Sequence, residues 1–292
     1  MAKDITVRII NAFSIQNRGG NPAGVVFDAD DLSQQDKQTI AAMGGFSETA
    51  FVSQSAVADF KLEFFTPTKQ IPHCGHATIA TFTYLYKQGK IRDQNSSKET
   101  VDGNRKILFR NGLAFMEQRA PAFIAPEEDV PFILESLGIT MPDLQPEARP
   151  TICNTGNSFL LVPLKEEALL EHLRINTEMV YSLSAKYNLI GFYVFSRSQK
   201  QPEVDGTCRM FGPFYGIQEE AATGMAAGPL ACYLYQHSTK KKNHFLIEQG
   251  RYMKSSSPSH IHVHLETSHE NIERLFVGGD AYVAGEKTIS IK

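Results

Sequence analysis

The sequence has few cysteines, and none of them are paired in a motif. Its 292 residues contain only four, and no two have the close spacing that a structural zinc site needs. Four cysteines are also too few for the disulfide scaffold of a chain this long. Cys74, Cys153, Cys208 and Cys232 therefore predict free thiols, and a reducing compartment fits this pattern.

The sequence also has little net charge and no long apolar run. Its 29 basic and 32 acidic residues nearly balance, which gives no sign of a nucleic-acid surface or a polybasic membrane patch. No apolar segment approaches membrane-spanning length. The first residues alternate like a β-strand and lack the apolar core of a signal peptide. We therefore expect a cytoplasmic protein without nucleic-acid or membrane partners.

A nucleotide-binding loop is absent as well. The glycine-rich stretch NRGGNPAG, residues 17–24, has neither the spacing of a dinucleotide fingerprint nor the Gly-Lys-Ser/Thr of a phosphate loop. We expect no nucleotide cofactor.

Two segments without formal charge dominate what is present. Residues 75–86 and 221–236 each predict a helix that is buried on all sides. Each helix is entered through a glycine, Gly75 or Gly224, where free backbone N–H groups and the positive end of the helix dipole could hold an anion. If the two starts face each other, the cleft between them is the site. Pro229 inside the second helix predicts either a start later than Gly224 or a kinked first turn.

The order of motifs repeats along the chain. Gly-Asn precedes an apolar strand at residues 20–21 and again at 156–157. A polar helix, a strand, a Phe-x-Pro motif and a charge-free helix then follow in the same order. This predicts a duplicated α+β fold, in which each half is a barrel-like, mostly antiparallel sheet wrapped around its central helix.

A proline-rich stretch separates the two repeats, and we place the boundary near Arg119. The predicted halves are residues 1–119, with a central helix at about 75–88, and residues 120–292, with a central helix at about 224–237. The last strand could return to the N-terminal half.

Four motifs, GNPAGVVF, FSETAFV, FTPTKQIPHCGHAT and MFGPFYGIQEEAATGMAAGPLA, occur in order over nearly the whole chain. In these motifs the sequence resembles the phenazine biosynthesis PhzF-like family, which has the diaminopimelate epimerase fold. The resemblance implies two similar halves with the active site between them. It also implies a cofactor-independent isomerase, in which a glutamate moves a proton between carbons of a small ring acid. Neither a metal nor another cofactor is expected, and by analogy we expect a homodimer.

The resemblance also assigns roles to residues. Glu48 stands at the position of the family's proton-transferring glutamate, and His76 at that of the pocket histidine. Two positions depart from the family pattern, because Glu220 replaces an aspartate and Met225 replaces a serine. The expected catalytic residues are Glu48, His76 and Glu220, and the expected substrate-binding residues are Gly75, Gly224, Met225, Asn21 and Thr223.

Each assignment has a structural alternative. From the residues alone, Glu48 could cap a local turn, His76 could be a buried structural histidine, and Glu220 could cap the second helix. The departures at Glu220 and Met225 favour a second hypothesis, a non-catalytic small-molecule binding protein on the same fold.

A third hypothesis is an amino-acid racemase that uses Cys74. Racemases with this fold use two cysteines, one from each half, and Cys74 occupies the first place while Thr223 occupies the second. Because one thiol cannot run a two-thiol mechanism, we interpret Cys74 as a small buried residue.

Three histidines, His260, His262 and His264, alternate along a predicted strand and could hold a metal ion on one face. With no carboxylate partner evident, we favour a solvated strand face.

Overall fold

The computed structural model describes residues 3–101 and 103–291. The chain divides into two compact units, residues 1–117 with 278–292, and residues 118–277. No helix in the described part of the chain is both long and apolar enough to cross a membrane.

Unit 1 contains two helices and a mostly antiparallel set of strands. The helices are α1 (Gln34–Gly44) and α2 (Gly75–Lys87). The strands are β1 (Lys3–Ala12), β2 (Asn21–Val26), β3 (Thr49–Ser53), β4 (Phe60–Phe65), β5 (Gln70–Ile71), β6 (Asn95–Thr100), β7 (Gly103–Arg110), β8 (Leu113–Arg119), whose last two residues belong to unit 2, and β18 (Ala281–Ile291). The last strand of the chain pairs antiparallel with the first over its whole length.

Unit 2 contains three helices and a similar set of strands. The helices are α3 (Val130–Leu137), α4 (Thr177–Tyr187) and α5 (Gly224–Gln236). The strands are β9 (Ala122–Ile124), β10 (Thr151–Asn154), β11 (Ser158–Leu164), β12 (Gly191–Ser196), β13 (Gly206–Gly212), β14 (Ile217–Glu220), β15 (His244–Gln249), β16 (Ser259–Ser268) and β17 (Asn271–Gly279).

The two units repeat one pattern of strand pairing. In unit 1 the pairs β1–β2, β3–β4 and β6–β7 are antiparallel, while β2–β3 and β4–β6 are parallel. In unit 2 the pairs β10–β11, β12–β13 and β15–β16 are antiparallel, while β11–β12 and β13–β15 are parallel. In both units a helix lies in each parallel crossover, as such connections require. The predicted α+β duplication is confirmed.

The long helix of each unit is its central packing element. Helix α2 packs on β1, β2, β3 and β18, and α5 packs on β10, β11, β15 and β16. In α5 every residue from Gly224 to Tyr235 except Met225 is buried. Burial of each large apolar side chain contributes about 1.5–3 kcal/mol, so these helices need no strong intrinsic propensity.

Pro229 does not delay the start of α5, which begins at Gly224. The amide nitrogens of Ala226 and Ala227 both donate to the Thr223 carbonyl and form the first turn ahead of the proline. Of the two expected alternatives, a later start and a kinked first turn, the start at Gly224 excludes the first. The lost N–H of Pro229 is tolerated because the helix is held by packing on all sides.

Candidate active site

Glu48 is positioned by the parallel pair β2 and β3. The Gly24 amide donates to the Glu48 carbonyl at 3.1 Å, just where β3 begins. Gly24 has to be a glycine for this approach, because a Cβ there would lie 2.8 Å from Phe46 and 2.9 Å from the Thr49 hydroxyl. The Glu48 side chain is only 14% exposed. The GNPAG motif therefore fixes the backbone of the glutamate from the neighbouring strand.

The start of α2 brings a cysteine and a histidine to the same place. Cys74 is the N-cap residue in extended conformation, and its side chain forms no capping hydrogen bond to the first turn. The first N–H groups of a helix have no partner within the helix. The start of α2 therefore presents backbone donors and the positive end of its dipole at Gly75 and His76.

The imidazole of His76 links the carboxylate and the thiol. His76 Nε2 lies 3.4 Å from Glu48 Oε2, and His76 Nδ1 lies 3.6 Å from Cys74 Sγ. His76 and Cys74 are both buried. Burial raises the pKa of the Cys74 thiol above its ordinary value, although His76 opposes the shift, so the thiol is protonated at neutral pH. The structure thus places the Glu48 carboxylate next to the His76 imidazole, with 3.4 Å between Oε2 and Nε2.

Lys98, in β6, supports the start of α2 and was not predicted from the sequence. Its side chain is fully buried and donates to Thr78 Oγ1 at 2.6 Å, and Thr78 donates to the Cys74 carbonyl at 2.6 Å. The Lys98 ammonium also lies 3.3 Å from His73 Nδ1. Burial and the Lys98 charge lower the pKa of His73 well below its ordinary value, so His73 is neutral and accepts this bond. These contacts tie the residues on both sides of Cys74 to β6.

In unit 2, Glu220 lies at the end of β14 and Thr223 is the N-cap residue of α5. The Thr223 hydroxyl donates to Glu220 Oε2 at 2.5 Å. The preceding residue, Glu219, pairs with Arg209 of β13 through two hydrogen bonds of 2.7 and 2.9 Å. The paired Glu219 and the strand alternation direct Glu220 toward the start of α5.

Gln249, at the end of β15, connects these groups. Its Oε1 accepts from Tyr193 Oη at 2.9 Å and from the Thr223 amide at 3.0 Å. Its Nε2 donates to the Glu220 carbonyl at 2.7 Å and to the Thr223 hydroxyl at 3.1 Å. Because a backbone amide can only donate and a carbonyl can only accept, the orientation of the Gln249 amide is unambiguous. Sequence reasoning missed both Gln249 and Tyr193.

The other expected substrate-binding residues lie within the same two units. Asn21 is buried at the start of β2, after Gly20, whose φ of +84° favours glycine. Met225 is half-buried in the first turn of α5, and its sulfur accepts from Gln118 Nε2 at 3.7 Å. Unit 1 therefore holds Asn21, Glu48, Gly75 and His76, and unit 2 holds Glu220, Thr223, Gly224 and Met225.

The three alternating histidines of β16 are half-buried, and His262 and His264 face His244 on β15. His244 Nε2 lies 3.2 Å from His262 Nδ1, and the His244 ring stacks on that of His264 with centroids 4.5 Å apart. Among the described residues, this group does not meet the spacing of a three-ligand metal site; only Glu48, Cys74 and His76 do.

The sequence model of the family described as phenazine biosynthesis-like protein matches residues 10–286. An uncharacterised isomerase, YddE, of Escherichia coli K12 is 34% identical over 78% of this chain and 78% of its own length. Trans-2,3-dihydro-3-hydroxyanthranilate isomerase of Pseudomonas chlororaphis is 32% identical over 96% of this chain and 98% of its own length.

The crystal structure of a PhzF-family phenazine biosynthesis protein from Bacillus anthracis is 28% identical, with a TM-score of 0.89 over 99% of this chain and all of that one. Solved structures of a predicted epimerase, a hydroxyproline epimerase and a probable proline racemase are 22%, 14% and 10% identical to this chain and show a likeness in fold alone. The expected fold class is confirmed.

Proposed function

The chain belongs to the phenazine biosynthesis-like protein family, an isomerase family, and on that premise we propose that it moves a proton between two carbons of a small carboxylate-bearing metabolite. The observation that carries the proposal is the contact of the Glu48 carboxylate with the His76 imidazole at the start of a buried helix. A relative that covers nearly all of the chain is named for the isomerisation of a ring acid of this kind.

Glu48 is the proposed general acid and base. Its carboxylate takes a proton from the carbon next to a conjugated acid, and the electron pair of the broken C–H bond moves into the conjugated system. The same carboxyl group then returns a proton to a second carbon, so the reaction changes neither the composition nor the oxidation state of the substrate. His76 lies within 3.4 Å of Glu48 and accepts or donates the hydrogen bond that the changing carboxyl group requires.

The helix starts are the proposed anion sites. Backbone N–H groups at Gly75 in unit 1 suit a substrate carboxylate and the negative charge that develops on it, and those at Gly224 offer the same kind of site in unit 2. Glu220 assists from its position beside Thr223, and Asn21, Thr223 and Met225 complete the proposed substrate contacts. A racemase mechanism with two thiols is less well supported, because the Thr223 hydroxyl donates to Glu220 in the place of a second thiol.

The test is solvent deuterium incorporation, measured by mass spectrometry. Trans-2,3-dihydro-3-hydroxyanthranilate and a panel of small unsaturated acids are incubated in D₂O with the native protein, with Glu48→Gln and with Glu178→Gln, a change of an exposed glutamate on α4. We expect exchange with the native protein and with Glu178→Gln, and a rate about 10²–10⁴-fold lower with Glu48→Gln.

Equal exchange rates for the native protein and Glu48→Gln would refute the role of Glu48. A compound that binds without any exchange would favour the non-catalytic binding protein. Exchange that is lost both on alkylation of the native protein and in Cys74→Ser would favour the racemase.

A further inference from the structure

Three different metal-ligating side chains converge at the start of α2. Glu48 comes from the segment before β3, Cys74 is the N-cap residue of α2, and His76 lies in its first turn. Each offers one ligand atom, and the three atoms lie within 4.8 Å of one another. The isomerase chemistry proposed above uses Glu48 and His76 but gives no role to the Cys74 thiol, which lies 3.6 Å from His76 Nδ1.

The spacing of these atoms is close to that of a four-coordinate ion. Bonds of about 2.0–2.3 Å in tetrahedral geometry place ligand atoms roughly 3.5 Å apart. The Cys74 sulfur lies 3.6 Å from His76 Nδ1, and the Glu48 oxygen lies 3.4 Å from His76 Nε2. A single ion takes only one of the two ring nitrogens, so one neighbouring ligand has to swing inward by about 1 Å, which a side-chain rotation supplies.

The chemistry of the three ligands selects the ion. A sulfur, an imidazole nitrogen and a carboxylate oxygen together favour Zn²⁺ and Cd²⁺ over Mg²⁺ and Ca²⁺, which prefer oxygen ligands alone. On binding, the thiol releases its proton to solvent. The charges of the thiolate, the carboxylate and the divalent ion then cancel, which limits the cost of placing them in a buried site.

We propose that Glu48, Cys74 and His76 form an inhibitory site for one soft divalent cation, Zn²⁺ or Cd²⁺. The three protein ligands leave the fourth coordination position open, as in mononuclear zinc sites that bind an exchangeable group. A bound cation coordinates the Glu48 carboxylate and the His76 imidazole. These two groups therefore cannot transfer a proton while the cation is bound. This inhibitory consequence rests on the proposed function, whereas binding of the cation does not.

The test uses Cd²⁺ as the probe and needs no substrate. Thiolate coordination to Cd²⁺ produces a charge-transfer absorption in the ultraviolet, which is titrated on the full chain. We expect saturation at one ion per chain, loss of the band in Cys74→Ser, and retention of the band in Cys153→Ser, a change of another buried cysteine. Glu48→Gln and His76→Gln should each weaken binding at least about tenfold, since even outer-shell partners of a metal typically contribute 10–100-fold.

A band that persists in Cys74→Ser would overturn the proposal, because another cysteine would then be the ligand. Unchanged affinity in both Glu48→Gln and His76→Gln would also overturn it. If Cys74→Ser fails to fold, the native protein is alkylated with N-ethylmaleimide with and without Cd²⁺, and the Cys74 peptide is identified by mass spectrometry. Protection of Cys74 by Cd²⁺ supports the site, and equal labelling refutes it.

Inhibition is measured separately, in the deuterium-exchange assay. Loss of exchange on adding Zn²⁺ to the native protein, reversed by a chelator, supports the inhibitory role. If no compound exchanges, the proposed function fails while the Cd²⁺ titration still decides whether the site exists.

Discussion

Replacing Gln249 with leucine tests whether one buried amide holds the start of α5 together. The Gln249 side chain is fully buried and makes four hydrogen bonds, to Tyr193, to the Glu220 carbonyl and twice to Thr223. Leucine nearly fills the volume but can make none of them. At about 1 kcal/mol net for each bond, Gln249→Leu should lower the free energy of unfolding by about 4 kcal/mol.

The matched control is Tyr193→Phe, which removes only one of these four bonds. Tyr193 is as deeply buried as Gln249, and its hydroxyl also contacts Cys208. In this variant the Gln249 oxygen still accepts from the Thr223 amide. We therefore expect a loss of only about 1 kcal/mol.

Both variants are compared with the native protein by urea unfolding followed by circular dichroism. An unchanged denaturant slope would show that the same surface is exposed on unfolding. A loss below about 1 kcal/mol in Gln249→Leu, or a loss no larger than that in Tyr193→Phe, would refute the view that Gln249 positions Thr223 and Glu220. In that case the hydrogen bonds of Gln249 would not be needed for the stability of this region.

Two further predictions concern other parts of the chain. Gly24→Ala should lower the free energy of unfolding by about 1–3 kcal/mol, because the added methyl group would overlap Phe46 and Thr49. The control Gly285→Ala should cost little, because the nearest atom to its new methyl group is 4.0 Å away. Equal losses of stability in thermal unfolding of the two variants would refute this prediction. Burial lowers the pKa of His260 below its ordinary value of 6.5, so on acidification the unfolded chain binds a proton there before the folded chain does. Stability should therefore fall as the pH drops below about 6.5, and His260→Asn should reduce this dependence; an unchanged pH profile would contradict it.

The two central helices were predictable because a long segment without charged side chains is stable only in the protein interior. The expected helices at about 75–88 and 224–237 correspond to α2 at Gly75–Lys87 and α5 at Gly224–Gln236. The repeated motif order likewise predicted a repeated fold, since similar strings of strands and helices reach similar pairings. Glu48 and His76 were found through resemblance, and the structure brings their side chains into contact.

Lys98 and Gln249 could not be predicted, because their partners are distant in sequence. Gln249 is 26 residues from Thr223 and 56 from Tyr193, and no local periodicity encodes such pairs. Lys98 lies in the polar strand NSSKET, where a lysine is normally expected to reach solvent. Only the folded chain shows that its ammonium is enclosed and bound to Thr78.

The two helix starts share a backbone design but differ in their side chains. In unit 1 the N-cap residue is Cys74 and the second helical residue is His76, whereas in unit 2 the corresponding residues are Thr223 and Met225. Both helices begin at a glycine, and the positive end of each helix dipole suits an anion.

The difference between the side chains is why we propose the start of α2, and not that of α5, as the place of proton transfer. Glu220 is held by a 2.5 Å hydrogen bond from Thr223, which Gln249 supports in turn, so moving its carboxylate breaks a connected network. Glu48 contacts an imidazole, which can give or take a proton as the carboxyl group changes its own protonation. Of the two anion sites that we propose, the one at the start of α2 has a carboxylate next to an imidazole, and the one at the start of α5 has a carboxylate next to a hydroxyl. This asymmetry is the reason to change Glu48 before Glu220 in any test of catalysis.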